Sequence, residues 1–98
     1  MNPLLTFHPD AEHELDEAAQ FYGRIDRDLL LAFLDEMERS VRSISDQPKS
    51  STSIALNIRR KLVRRFSYGI IYRERRSEIR ILAIAHLKRR PLYWAGRS

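Results

Sequence analysis

A chain of 98 residues, 43% of them apolar, can build one small hydrophobic core, so residues 1–98 read as a single domain. It contains no cysteine, which excludes disulfides and thiolate metal sites and suits a reducing compartment. The formal charge of +5 hides an asymmetry: residues 1–47 set four arginines against eleven acids, a net −7, while residues 48–98 set fourteen Lys/Arg against Glu74 and Glu78, a net +12. Such a split directs the second half toward a polyanion or an acidic partner. The chain opens with neither a basic nor a long apolar leader segment. No apolar run approaches the ~20 residues of a membrane span. A soluble, cytoplasmic protein with no membrane contact is expected.

In chain order, Leu4–Phe7 is a short apolar run that reads as a first strand. His8-Pro9-Asp10 then opens a helix, with proline at a position whose missing N–H had no partner anyway. Asp10, Glu12 and Glu14 place negative charge at the positive end of its dipole. Ala11, Leu15, Ala18 and Tyr22 form one apolar stripe, and Gly23 is read as the residue that ends the helix. Asp26 caps a second helix, in which Leu30, Phe33, Leu34, Met37, Val41 and Ile44 recur every three or four residues until Pro48. The short Arg24–Asp26 link predicts an antiparallel helical hairpin.

A polar connection, residues 49–53, leads to a poorly defined strand start at Ile54–Ile58. Three strands are predicted after it, at Arg59–Arg65, Gly69–Arg75 and Glu78–Ala85. Gly69, free to take positive φ, is expected to close the first hairpin, and Arg75-Arg76-Ser77 the second. The last strand carries apolar residues in both alternating sets and is expected to be central and covered on both faces. A basic tail, Leu87–Ser98, ends the chain. The order β-α-α-β-β-β predicts an α+β fold: a helical hairpin packed on a twisted antiparallel β-sheet.

Residues 59–65 hold five basic side chains in seven, and Lys88, Arg89, Arg90, Tyr93 and Trp94 interleave charge with rings. Guanidinium forks suit phosphate or carboxylate groups, and basic residues among aromatics suit single-stranded nucleic acid. The structural alternative is a solvated basic face whose rings belong to the core. His86, at the end of the last predicted strand, is the one titratable group placed for acid–base work. No nucleotide loop, nucleophile elbow or zinc spacing is present, so neither a metal nor a cofactor is expected. The carboxylates of the helical half read as capping and solubilising groups.

Five segments together resemble the RelE/ParE superfamily of type II toxin–antitoxin toxins, also called plasmid stabilisation proteins. They are His8-Pro9-x-Ala11-x-x-x-Leu15, Ala18-Ala19-x-Phe21-Tyr22, Arg64-Arg65-Phe66-x-Tyr68-x-Ile70-x-Tyr72, Ile81–His86 and Arg89-Arg90-Pro91-x-Tyr93-Trp94. The resemblance covers nearly the whole chain in order, and its fold agrees with the one read above. It implies a bacterial toxin neutralised by a cognate antitoxin in a hetero-oligomer. RelE-like members cut mRNA in the ribosome with basic residues and often a tyrosine, whereas ParE-like members inhibit DNA gyrase and block replication.

Nuclease members commonly carry an arginine where this chain has Gly69; Arg65, His86, Arg89 and Tyr93 are the catalytic candidates that remain. This incomplete set and the long helical hairpin favour the ParE-like branch, a gyrase inhibitor and not an enzyme. The alternative is a ribosome-dependent mRNA endoribonuclease, and a further one is a non-toxic nucleic-acid-binding module. Target contacts are expected from the basic strand and the basic–aromatic tail, at Arg59, Lys61, Arg64, Arg65, Lys88, Arg89, Arg90 and Trp94. The antitoxin is expected on an open helical edge at Leu29, Ala32 and Phe33.

Overall fold

The structure, a computed structural model, describes residues 3–98; Met1 and Asn2, part of the single-domain reading, lie outside the described residues. The chain runs β1 (Leu4–Phe7), α1 (Pro9–Ile25), α2 (Arg27–Asp46), β2 (Thr52–Ala55), β3 (Ile58–Leu62), β4 (Tyr68–Arg75) and β5 (Glu78–His86). The strands form one five-stranded sheet in the order β1-β5-β4-β3-β2. The expected α+β architecture is present, with two departures. Residues 54–58 span a hairpin between β2 and β3 turned at Leu56-Asn57, where Asn57 takes φ 60°. And β1 pairs in parallel with β5, Leu4 opposite Glu78 through Phe7 opposite Ile81, so the sheet is mixed. The helical hairpin carries the chain back over the sheet between these two strands, which is the long crossover that parallel neighbours require.

His8 opens α1 by accepting the Asp10 N–H on its Nδ1 at 3.0 Å, and Pro9 follows in the first turn. The hairpin turns on one residue: the Asp26 N–H bonds the Tyr22 carbonyl, while its carboxylate accepts the Asp28 N–H at 3.1 Å. Asp26 thus closes α1 and caps α2. Gly23 does not end the first helix. It lies inside α1, where an added Cβ would sit 3.3 Å from the Leu30 side chain, so its role is close approach of the two helices.

Two apolar cores share the sheet. Ala11, Ala18, Phe33, Met37 and Ile44 of the helices pack on Val63, Phe66, Ile70, Tyr72, Ile79, Ile81 and Ile84. On the face away from the helices, Ile71, Leu82, Ala83 and Ala85 pack with Trp94, flanked by Ile54, Ile58 and Tyr93. This explains why both alternating sets of β5 are apolar. The central strand is β4, however; β5 lies between β4 and β1 and is buried over Ile81–Ala85. A bulge at Ile71/Tyr72 skips Leu82 and re-aims it toward the second core.

Candidate target-binding cleft

The β3–β4 turn is closed by the Val63 N–H on the Tyr68 carbonyl at 2.9 Å. Positive φ falls on Arg65 (φ 70°), and Gly69 does not adopt it. Gly69 is instead a strand residue between Leu62 and Ala85. An added Cβ there would meet Arg60 Cγ at 3.2 Å and Cδ at 3.3 Å. The absent side chain makes room for the aliphatic stem of Arg60 to cross the strand.

That crossing shapes a cleft of about 220 Å³ on the helix-free face, between the sheet and the tail. Gly69 and Ala85 are its small residues, Ile54, Ile71 and Trp94 its apolar ones, and Arg60, His86, Arg89 and Arg90 its polar ones. The Leu87 N–H bonds the Ser67 carbonyl at 2.9 Å, tying the tail to the turn that carries Arg64 and Arg65. Six cations, Arg60, Arg64, Arg65, Lys88, Arg89 and Arg90, thereby gather at one end of the sheet, all exposed.

Several expected site residues sit elsewhere. Alternation with buried Val63 turns Arg59 and Lys61 toward the helix side; both are half-buried, and Arg59 Nη1 donates to the Ser51 carbonyl at 2.8 Å. Arg60, not among the expected contacts, takes the cleft position. Its signal was legible: if Val63 faces the core, so do Arg59 and Lys61, which leaves Arg60 to the other face. Trp94 is 5% exposed and packs in the second core, so its ring is closed to stacking partners.

His86 stands opposite Tyr68, ring centroids 5.1 Å apart and edge to face. Its Nδ1 accepts the Lys88 N–H at 3.1 Å, which in the neutral ring leaves the proton on Nε2. Tyr93 lines the cleft with its hydroxyl turned toward α1. Its hydroxyl donates to Glu14 Oε2 at 2.8 Å, and the Arg89 guanidinium covers its ring at 4.0 Å. Burial, then the Glu14 carboxylate, pushes the phenol far above its ordinary value, so it keeps its proton at any physiological pH.

Glu14 is the positioning residue beside the cleft that sequence reading missed. It accepts from Tyr93, from Arg97 Nη1 at 2.8 Å and Nη2 at 3.0 Å, and from the Ile84 N–H at 3.0 Å. Arg97 also donates to the Leu82 carbonyl at 3.0 Å, and its hydrogen bonds to Glu14 make the guanidinium hold its proton more firmly than usual. One carboxylate thus clamps α1, β5 and the tail together. Its signal was its place among Ala11, Leu15 and Ala18, on the buried stripe of α1, where an acid requires partners.

Tyr93→Phe is expected to lower stability by about 1.5–3 kcal/mol, the worth of a hydrogen bond to a charged group, checked by thermal unfolding. Unchanged stability would mean that the Tyr93–Glu14 bond does not hold the tail.

Among the described residues, no group of three or more His, Asp or Glu side chains is placed to hold a metal ion, and no helix is long and apolar enough to cross a membrane. The family model described as the ParE toxin of the type II toxin–antitoxin system, parDE, matches residues 5–91. No curated protein matches the chain. Among solved structures it is similar to one described as "Chromosomal ParDE TA system from P. aeruginosa". That likeness has a TM-score of 0.73 at 20% identity, covers 88% of this chain and 97% of that chain, and at this identity speaks to the fold alone.

Proposed function

The chain belongs to the ParE toxin family of type II toxin–antitoxin systems, and we propose that it inhibits DNA gyrase by binding it, until a cognate antitoxin neutralises it. The observation that carries this reading is the engagement of Tyr93. RelE-like nucleases of the wider superfamily use basic residues, often a tyrosine, and commonly an arginine at one strand position. Here the hydroxyl is spent on Glu14, and the strand position is Gly69. What remains at the sheet end is a dense array of exposed guanidinium groups around a small cleft. Such an array is suited to holding an acidic surface, and its one imidazole, His86, has Nδ1 engaged by the Lys88 N–H.

The test is a supercoiling assay with purified gyrase beside an mRNA-cleavage assay on translating ribosomes. Inhibited supercoiling with intact mRNA is expected; cleaved mRNA with unaffected supercoiling would move the chain to the ribosome. The double charge reversal Arg89→Glu/Arg90→Glu is expected to raise the concentration needed for inhibition at least ~10-fold, since like charge across an interface costs several kcal/mol.

The antitoxin surface proposed here lies beside the edge expected at Leu29, Ala32 and Phe33. Phe33 is fully buried, and Leu29 and Ala32 pack beside it against the core. The apolar groove open on the hairpin is lined by Phe7, Leu15, Leu34, Met37 and Val41, about 360 Å³ in volume. Leu31 and Leu34 stand exposed on the same helix. An amphipathic helix of the antitoxin is the occupant this groove fits, laid along the hairpin with its apolar side inward.

A further inference from the structure

The cleft at the cation-rich end of the sheet differs between floor and rim. Its floor is formed by the buried residues Ile71, Ala85 and Trp94, beside Gly69. Arg60, Arg89 and Arg90 stand around it, and among the described residues no carboxylate lines it. An apolar floor inside an arginine rim is the anatomy of a protein–protein contact, in which a buried anchor is ringed by polar groups.

Three leucines carry the apolar surface out to the mouth. Leu62, Leu87 and Leu92 are each more than half exposed, and none belongs to either core. Leu62 is the ladder partner of Gly69, and Leu87 Cδ2 lies 3.7 Å from where a Gly69 Cβ would stand. Leu87 and Leu92 line the cleft itself. Leu92 also takes φ 62°, in the left-handed region that leucine rarely enters. Folding gains little from a leucine there: its backbone is strained and its side chain stays in water, whereas asparagine or glycine would hold the same turn with less strain. Strain with no gain in packing points to a binding role.

The cleft is poorly built for a nucleic acid. Stacking on aromatic faces supports single-strand binding, and the two tail rings are taken. Trp94 is closed in the second core, and the Tyr93 ring carries the Arg89 guanidinium at 4.0 Å and the Arg97 guanidinium at 5.1 Å. At about 220 Å³ the cleft also falls below the ~300–1,000 Å³ of small-molecule sites, a size that suits one side chain.

We infer that the cleft seats one aliphatic side chain from an acidic segment of the protein target, with Leu87 and Leu92 against it and the rim arginines taking the flanking carboxylates. The exposed cations at this end of the sheet set the sign of that segment. That the target is gyrase is the reading proposed above, on which this inference rests for its partner.

The test follows the methyl signals of the intact chain by NMR during three titrations. Two use glutamate-rich peptides of equal length and charge, one with leucine and one with serine at the centre; the third uses single-stranded oligothymidylate. The leucine peptide is expected to move the Ile71, Ala85 and Leu92 methyls and to bind at least ~10-fold more tightly than the serine peptide, as burial of one leucine side chain supplies. Leu92→Asn suits a positive φ, so its unfolding temperature should hold or rise. Its affinity for the leucine peptide and its inhibition of supercoiling should both weaken ~5-fold, through loss of a partly buried leucine contact. Equal binding of the two peptides would overturn the anchor and leave a charged surface. Methyls moved by the oligonucleotide as far as by the leucine peptide would overturn it in favour of nucleic acid. Supercoiling inhibition unchanged by Leu92→Asn would overturn the target as occupant and give the cleft to the antitoxin. A chain that binds the leucine peptide as expected but leaves gyrase unaffected would uphold the chemistry of the cleft and sink the gyrase reading alone.

Discussion

Glu14→Ala is expected to lower stability by about 3 kcal/mol, the lower end for breaking a buried ion pair. The side chains of Glu14 and Arg97 are only 11% and 15% exposed, so solvent screens them little. The substitution strands three donors at once: the Arg97 guanidinium, the Tyr93 hydroxyl and the Ile84 N–H. In a domain of this size each kcal/mol moves the unfolding temperature by ~4–8 °C, so a fall of roughly 12 °C or more is expected. The tail should loosen before the rest, with faster amide exchange at Ala95 and Arg97, whose N–H groups bond within the tail turns. Glu14→Gln keeps an acceptor and loses the charge, and should fall between. An unfolding temperature unchanged in the alanine variant, with tail exchange unchanged, would mean that the clamp does not hold the tail.

Phe33→Ala is the second large effect, expected at about 3–5 kcal/mol from the lost contacts and the cavity left behind. Phe33 is fully buried, its ring 4.9 Å from Tyr22, 5.2 Å from Phe66 and 5.7 Å from Tyr68. This aromatic cluster joins both helices to the β3–β4 turn, so truncation removes the junction of the fold. Against a total stability of ~5–15 kcal/mol for a typical domain, such a loss leaves little margin. Leu34→Ala, one residue on and 41% exposed, should barely change unfolding and should weaken antitoxin binding. Urea unfolding of both variants, with affinities for the antitoxin measured on folded protein, separates the roles. A Phe33→Ala chain that unfolds like the parent and yet binds antitoxin poorly would restore Phe33 to the docking surface.

The superfamily, the α+β class, the helical hairpin and the basic second half could all be read without coordinates. Each rests on local information. Periodicity places Leu30 to Ile44 on one helical face; the short link at Asp26 permits only an antiparallel neighbour; charge is counted directly. The β4–β5 hairpin was legible for the same reason, since a strand, a polar turn and a strand are contiguous in the chain. The cleft was half legible. Arg89 and Arg90, expected as target contacts, line the cleft, whereas Arg59 and Lys61 turn to the helix side by strand alternation and Trp94 is drawn into the second core.

What only the tertiary structure decided are pairings between distant residues. The parallel seating of β1 on β5 joins positions more than seventy residues apart and leaves no local trace. Positive φ passed from Gly69 to Arg65 because turn geometry is fixed by strand register, and the glycine was needed where Arg60 crosses the sheet. Tyr93 looked catalytic and Glu14 looked solvated, yet folding places each against the other. A hydroxyl's chemistry is set by its nearest acceptor, and which acceptor is nearest is known only once the chain has closed on itself.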